Sequence, residues 1–297
     1  MSNINKLHLR FCQYSLAFKG NTPRTIKWFK DDFKWFQKFA QIEKIEQLDK
    51  KIIEDWIYQG KLLHHWSAKT IRNRIQALHI FLSWCVQENI IRNNPCEKIP
   101  KPKVPKSLPK YLTQDQANRL LDWTKAYPYI YTFERYRAVA IISMLIYTGI
   151  RKAELLNLKL LDVDLENKTL FVRLGKCSKD RMIPLHHALI DALSEYLRER
   201  GKRNANSPYF FISLRDDERL GDTAIRRLVV KLHKKSGIHF YPHLLRHTFA
   251  TLMLEGGCNL YALSQMMGHS DIKTTTIYLG ASKAHLEEQM GMHPINI

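Results

Sequence analysis

The 297-residue chain is long enough for two domains. At 45% hydrophobic and 25% charged residues its composition is globular, which excludes a disordered or fibrous protein. The 47 Lys and Arg against 28 Asp and Glu leave a formal charge of +19. Residues 1–107 hold 20 basic and 9 acidic side chains and the remainder 27 and 19, so the excess runs through both halves. Such a surface attracts a polyanion, nucleic acid first; simple solubility charge is the alternative, disfavoured because so large an excess repels itself.

The five cysteines, Cys12, Cys85, Cys96, Cys177 and Cys258, are odd in number and widely spaced. With no CxxC or Cys/His ligand spacing they read as reduced thiols of a cytoplasmic protein. The opening MSNINKLHLRF has no apolar signal core, and the longest apolar run, 138–147, is too short to cross a bilayer. That run reads as a buried helix, and no membrane partner is expected.

In chain order, a helix is predicted near 4–18. From Thr25 to Ala40 the residues Ile26, Phe29, Phe33 and Phe36 recur at three- and four-residue steps and form one apolar stripe. A short helix follows near 49–62, and Ser67 opens another in which Ile71, Ile75, Leu78, Leu82 and Val86 keep the spacing. Lys69, Arg72 and Arg74 lie off that stripe, on a face suited to a DNA groove and equally to solvent. Five prolines between Pro95 and Pro109, mixed with lysines, make an extended basic linker. The expected organisation is a four-helix domain over 1–98, a linker over 99–110 and a second domain over 111–297.

Beyond the linker, Thr113 with Gln116 forms a capping box for a helix over 114–124. Helices are expected at about 134–148 and from Arg151 to Asn157. The period then changes: TLFVR and RMIPL read as two strands of a hairpin, and YFFI (209–212) as one more extended stretch. Helices return at about 186–200, 222–235, 243–255, 260–267 and 282–290. The fold class is mainly α with a small β element.

The phosphate loop GxxxxGK[ST] and the zinc motif HExxH are both missing. His243 and His247 are four apart, but Arg246 between them disfavours a dication. What stands out is a set of cationic and imidazole side chains near helix starts. TGIRKAELLNL carries Arg151 and, one turn later, Glu154. YPHLLRHTFATLMLEGG sets His243, Arg246 and His247 on one helical face. LSQMMGHSDIKTTTIYL carries His269 and, nine residues on, Tyr278. Singly, each is commonly a structural residue.

Taken in order, TGIRKAELLNL, GKCSKDRMIPL, HLLRHTFAT and GHSDIKTTTIY resemble the tyrosine recombinase (phage integrase) family, most of all Xer-type and related simple integrases. The match spans about residues 110–290, and residues 1–100 fit that family's helical core-binding domain by architecture. The resemblance implies a four-helix, SAM-like core-binding domain followed by a mixed α/β catalytic domain. It also implies a catalytic set of Arg151, Lys176, His243, Arg246, His269 and Tyr278. Cys177-Ser178 stand where relatives often have Gly-Asn, and Met267 where Leu is usual.

Two guanidiniums would grip the phosphate's non-bridging oxygens bidentately at any relevant pH. His269 would donate to the same oxygens. His243 would help move the proton of Tyr278, whose ordinary pKa of about 10 makes it a poor nucleophile unaided. Lys176, on the hairpin, would protonate the leaving 5′-oxygen. The product would be a 3′-phosphotyrosyl bond, and no metal or cofactor is needed because one phosphate ester replaces another. Glu154 would orient the arginine side of the pocket, and His247 would support it from behind. Tyr241 and Tyr261 are rival tyrosines that read as packing, whereas Tyr278 follows a polar stretch suited to a movable segment.

The expected partners are double-stranded DNA and further copies in a tetramer on DNA, with a second recombinase as one arrangement. A tail helix around Leu286 and Met290 would dock on a neighbouring subunit or on its own domain. Three rival functions stay open: a type IB topoisomerase, a catalytically silent DNA-binding protein, and a carboxylate-and-metal transposase using Asp162 and Asp164, acids that otherwise read as solvated.

Overall fold

The computed structural model describes residues 3–105, 108–173, 180–203, 205–269, 271–279 and 290. The chain forms two compact units, Met1–Lys106 and Ser107–Ile297, and the division falls inside the proline- and lysine-rich stretch.

The first unit is helical: α1 (Ile4–Ala17), α2 (Pro23–Ala40), α3 (Lys50–Leu62) and α4 (Ala68–Gln87). Each opens on a polar cap, with Asn3, Thr22, Asp49 and Ser67 accepting from the backbone three residues on. Helix α2 starts two residues before Thr25, because Thr22 caps it and Pro23 fits its first turn. Ile26, Phe29 and Phe36 are buried with Ile71, Ile75, Leu78 and Leu82, so both stripes meet in one core. A fully buried side chain of this size contributes about 1.5–3 kcal/mol toward offsetting the cost of ordering the helices.

Arg74 differs from its sequence reading. Its guanidinium turns inward, 3.0 Å from Asp32 and within 4.1–5.9 Å of the rings of Trp35, Trp56 and Trp66. Only 11% of the side chain is exposed. It is one position on from the exposed Lys69–Arg72–Asn73–Gln76 face, and its long stem reaches the tryptophans, so it acts as a core residue. Lys69 and Arg72 point to solvent.

The second unit is built on α6 (Thr132–Thr148), buried from Arg137 to Ile146, which explains the long apolar run at 138–147. Around it lie α5 (Gln114–Ala126), α8 (His187–Gly201) and α10 (Pro242–Glu255). Thr113 and Gln116 make the predicted capping box. Helix α6 ends where Gly149 adopts φ 58°, and a Cβ there would overlap the Phe249 ring. The remaining helical elements are α7 (Lys152–Asn157), α9 (Asp222–Ser236), α11 (Leu260–Met267) and 3-10 turns at Leu160–Asp162, Ile272–Thr274 and Thr276–Tyr278.

A three-stranded antiparallel sheet runs β1 (Val163–Asp164), β2 (Thr169–Val172), β3 (Arg181–Pro184), in that spatial order. The predicted hairpin is β2–β3, with Leu170 opposite Ile183 and Val172 opposite Arg181. Strand β1 was not foreseen, since two residues carry no alternation to detect. The stretch at 209–212 is not a strand: Tyr209 and Ile212 make isolated bridges to Lys159 and Arg219 while Phe210 and Phe211 fill the core. Its apolar run records burial, not sheet pairing.

Asp162 also departs from the sequence reading. It is 5% exposed, accepts from Arg173 Nε at 2.5 Å and caps the Lys159 amide, so it is a structural acid; Asp164 is exposed. Among the described residues, no group of three His, Cys, Asp or Glu is placed to hold a metal ion, and no helix is long and apolar enough to cross a membrane.

Candidate active site

Four segments of the second unit converge: the turn from α6 into α7, strand β3, the face of α10, and the segment after α11. Arg151 stands at the start of α7 because Gly149 reverses the chain, and Glu154 lies one turn on, where its side chain accepts from the Arg151 amide at 2.9 Å. The Arg151 guanidinium donates to Glu154 Oε1 at 2.8 Å and to the Gly268 carbonyl at 3.3 Å, and a quarter of the side chain remains exposed.

Arg181 joins this cluster and was missed by the sequence reading. The period of two that buries Ile183 turns Arg181 inward as well. There it grips both Glu154 oxygens at 3.1 and 2.7 Å and donates from Nε to the Met266 carbonyl at 2.8 Å. Its side chain also fills the space beside Gly268, whose φ of 63° and missing Cβ let the chain pass. The available signal was the strand alternation, which sets Arg181 on the same face as Ile183.

Arg246 is 3% exposed on the inner face of α10. It donates from one terminal nitrogen to the Gly149 carbonyl at 2.7 Å and from the other to the Met267 carbonyl at 2.6 Å and to His269 Nε2 at 3.0 Å. His269 Nδ1 in turn lies 2.8 Å from Thr275 Oγ1. His247, one turn beyond His243, has its Nδ1 2.8 Å from the Tyr278 hydroxyl. The His243 ring packs edge-on against His247, centroids 4.4 Å apart.

Tyr278 is 2% exposed, packed among Phe249, Ala250, Leu254, Leu263 and Met267 at the end of a 3-10 turn. Its rivals are the exposed ones: Tyr241 at 41% and Tyr261 at 64%. The expectation that those two are packing residues is therefore corrected. Tyr241 precedes α10 at its solvent end, and Tyr261 opens α11 on its outer face.

Burial and fixed charge shape the titration of the site. Burial pushes the Glu154 carboxyl up, but the bonds and charge of Arg181 and the bonds from Arg151 overcome it and hold it at about 2. Burial, then repulsion from Arg151, lowers Arg246 to about 10. His269 is pushed down to about 4 by burial and by Arg246, Arg151 and Arg181, and His247 to about 4 by burial, His243 and Arg246. Both rings are neutral at pH 7. The Tyr278 phenol is raised by burial, with Arg246 and Arg151 pulling the other way.

Arg151, Glu154, Arg246, His247, His269 and Tyr278 are thus gathered in one place, with His243 against His247. Lys176 lies outside the described residues, as does the tail helix apart from Met290. An arginine pair flanked by imidazoles and a phenol, all in one pocket, suits the handling of a single phosphodiester.

Comparison with known proteins agrees with that chemistry. The profile of the phage integrase family matches residues 110–285. The chain is 30% identical to tyrosine recombinase XerC of Oceanobacillus iheyensis, with 98% of each covered. It is 35% identical to tyrosine recombinase XerA of Pyrococcus furiosus over 75% of this chain and 73% of that one. Among solved structures, a XerA recombinase matches with a TM-score of 0.55 at 30% identity over 99% of both chains. XerH bound to its difH substrate after cleavage matches in fold with a TM-score of 0.76 at 23% identity, over 95% of this chain and 83% of that one. The chain belongs to the phage integrase family, the tyrosine recombinases, which cleave and rejoin DNA.

Proposed function

We propose that this chain is a site-specific recombinase whose Tyr278 oxygen attacks a DNA phosphorus, forming a 3′-phosphotyrosyl bond and releasing a 5′-hydroxyl. One observation supports the assignment above all: Arg151 and Arg246 donate to the adjacent carbonyls of Gly268 and Met267, at the head of the segment that carries His269 and Tyr278, and the Tyr278 hydroxyl lies 2.8 Å from His247 on the Arg246 helix. A phosphate bound between the two arginines meets donors already fixed in position, so the negative charge growing in the transition state needs little reorganisation around it.

The roles follow from that arrangement. Arg151 and Arg246 hold the non-bridging oxygens, His269 donates to them once the phosphate is in place, and Glu154 fixes Arg151. Lys176 protonates the leaving oxygen and His243 assists the phenol's proton, as the family resemblance implies. In the reverse step a second strand's 5′-hydroxyl attacks the phosphotyrosyl phosphorus and expels Tyr278, so the bond energy is kept and neither ATP nor metal is consumed. The substrate is double-stranded DNA, and the site works where that DNA is, in the cytoplasm. Residues 1–98 act as a DNA-binding clamp using the exposed Lys69 and Arg72. The working assembly is a tetramer on DNA.

The test uses nicked duplexes carrying the recombination site, recovered by selection from a randomised pool, in buffer with EDTA. A covalent protein–DNA band on a denaturing gel is expected for the wild type and none for Tyr278→Phe. An adduct that forms equally in the Phe variant, or only with added divalent metal, overturns the assignment.

A further inference from the structure

Three threonines precede the tyrosine in TTTIY, and only the middle one is buried: Thr275 is 0% exposed while Thr274 and Thr276 face solvent. A buried hydroxyl is expected to have a partner. Thr275 Oγ1 has His269 Nδ1 at 2.8 Å.

The direction of that bond is fixed by its neighbour. Arg246 approaches the other ring nitrogen, Nε2, at 3.0 Å, and a guanidinium can only donate. Nε2 therefore accepts. A neutral imidazole has one proton, so it sits on Nδ1 and is donated to Thr275 Oγ1. The opposite tautomer would set an imidazole N–H against the Arg246 N–H at Nε2, a clash that the Thr275 hydroxyl, able to donate or accept at Nδ1, does not relieve.

We propose that Thr275 is a positioning residue that locks His269 in the Nδ1–H tautomer. The lock keeps Nε2 aimed at Arg246 until DNA arrives. Both hydrogens of that Arg246 nitrogen are then in use, on Met267 and on His269. When a phosphate oxygen takes the hydrogen now given to His269, the freed Nε2 can take a proton from solvent and become a donor to that phosphate, with Nδ1–H still held by Thr275. The phosphate's negative charge favours that protonation.

The same residue also fixes the nucleophile's turn. The Thr275 carbonyl accepts from the Tyr278 amide at 3.1 Å, and its own amide donates to Ile272 at 2.7 Å. Side chain and main chain of one threonine thus tie the imidazole to the segment that carries the phenol. This deepens the proposed function and rests on it for the part His269 plays in the reaction.

The test combines spectroscopy with kinetics on the full chain. Long-range proton–nitrogen spectra of the DNA-free protein report which ring nitrogen of His269 is protonated. The wild type and Thr275→Ser are expected to show Nδ1–H, and Thr275→Val, which keeps the volume and loses the acceptor, a shift toward Nε2–H. With the nicked duplex, Thr275→Val is expected to form adduct about tenfold more slowly, the cost of one misdirected hydrogen bond. Thr275→Ser should recover to within about threefold, and Thr274→Val should match the wild type. Wild-type His269 found protonated on Nε2 overturns the proposal even if the valine variant does not fold. So does a serine variant as slow as the valine one, which would assign Thr275 to packing through its methyl group. His269→Ala forming adduct at the wild-type rate would instead fault the proposed function, leaving the tautomer result standing.

Discussion

His247 Nδ1 and the Tyr278 hydroxyl lie 2.8 Å apart, and the pair joins the least basic kind of imidazole to a phenol that burial makes harder to ionise. Burial lowers the ring to about 4 and raises the phenol, so passing the proton from one to the other is disfavoured before DNA binds. In the DNA-free site His247 is therefore placed to orient the phenol rather than to take its proton.

Orientation and base catalysis differ in size. Removing a neutral hydrogen bond costs about 1 kcal/mol, or roughly fivefold in rate, whereas loss of an obligatory base costs about 10²–10⁴-fold. His247→Ala is therefore expected to slow adduct formation on the nicked duplex by less than about tenfold. Single-turnover kinetics check this.

Glu154 is held from both sides by Arg151 and Arg181, and its side chain and that of Arg181 are both under 10% exposed. Glu154→Gln removes the charge that neutralises a buried guanidinium, a loss of about 3 kcal/mol in stability. Thermal unfolding of the variant measures it. The adduct rate should fall as well, because Arg151 loses its anchor.

The helices were legible because their stripes are long. Ile26 to Phe36 and Ile71 to Leu82 each repeat over three turns, and only a packed helix requires that. The site was legible as a set of residue types but not as a geometry. Spacing put His243, Arg246 and His247 on one face of α10, yet nothing in it says that His247 reaches Tyr278. Arg74 and Arg181 were misjudged or missed for one reason: a long cationic side chain is read as a surface group until its partner, Asp32 or Glu154, is seen in space. Tyr278 itself looked mobile because its neighbours in sequence are polar, while its neighbours in the fold, Leu263 and Met267, come from α11.

Arg246 offers a flat fork that lysine lacks. Arg246→Lys is expected to lower the adduct rate by about 10²–10³-fold. DNA affinity should barely move, and the slope of log affinity against log salt should change by less than about one, since the other cations still neutralise the backbone. Filter binding over a salt series separates the two effects.

In the first unit His8 is 6% exposed, stacked on Phe33 at 3.9 Å between centroids, and held at about 4 by burial and by Lys30. Its ordinary value is 6.5, so the unfolded chain binds the proton more readily between 6.5 and 4. Stability is full above that window and falls as pH drops through it, by about 3 kcal/mol from this group. His8→Phe should flatten that fall. Urea unfolding followed by tryptophan fluorescence at pH 7 and pH 4.5 tests it, and five of the six tryptophans, Trp28, Trp35, Trp56, Trp66 and Trp84, report on this unit.

The identity of the attacking atom is open to direct chemical reading. Trapped adduct, digested with nuclease and trypsin, should carry its residual nucleotide on the peptide 274–283, with fragmentation assigning the added mass to Tyr278. Nucleotide found on a peptide containing Tyr241 or Tyr261, or on a serine, would contradict the account.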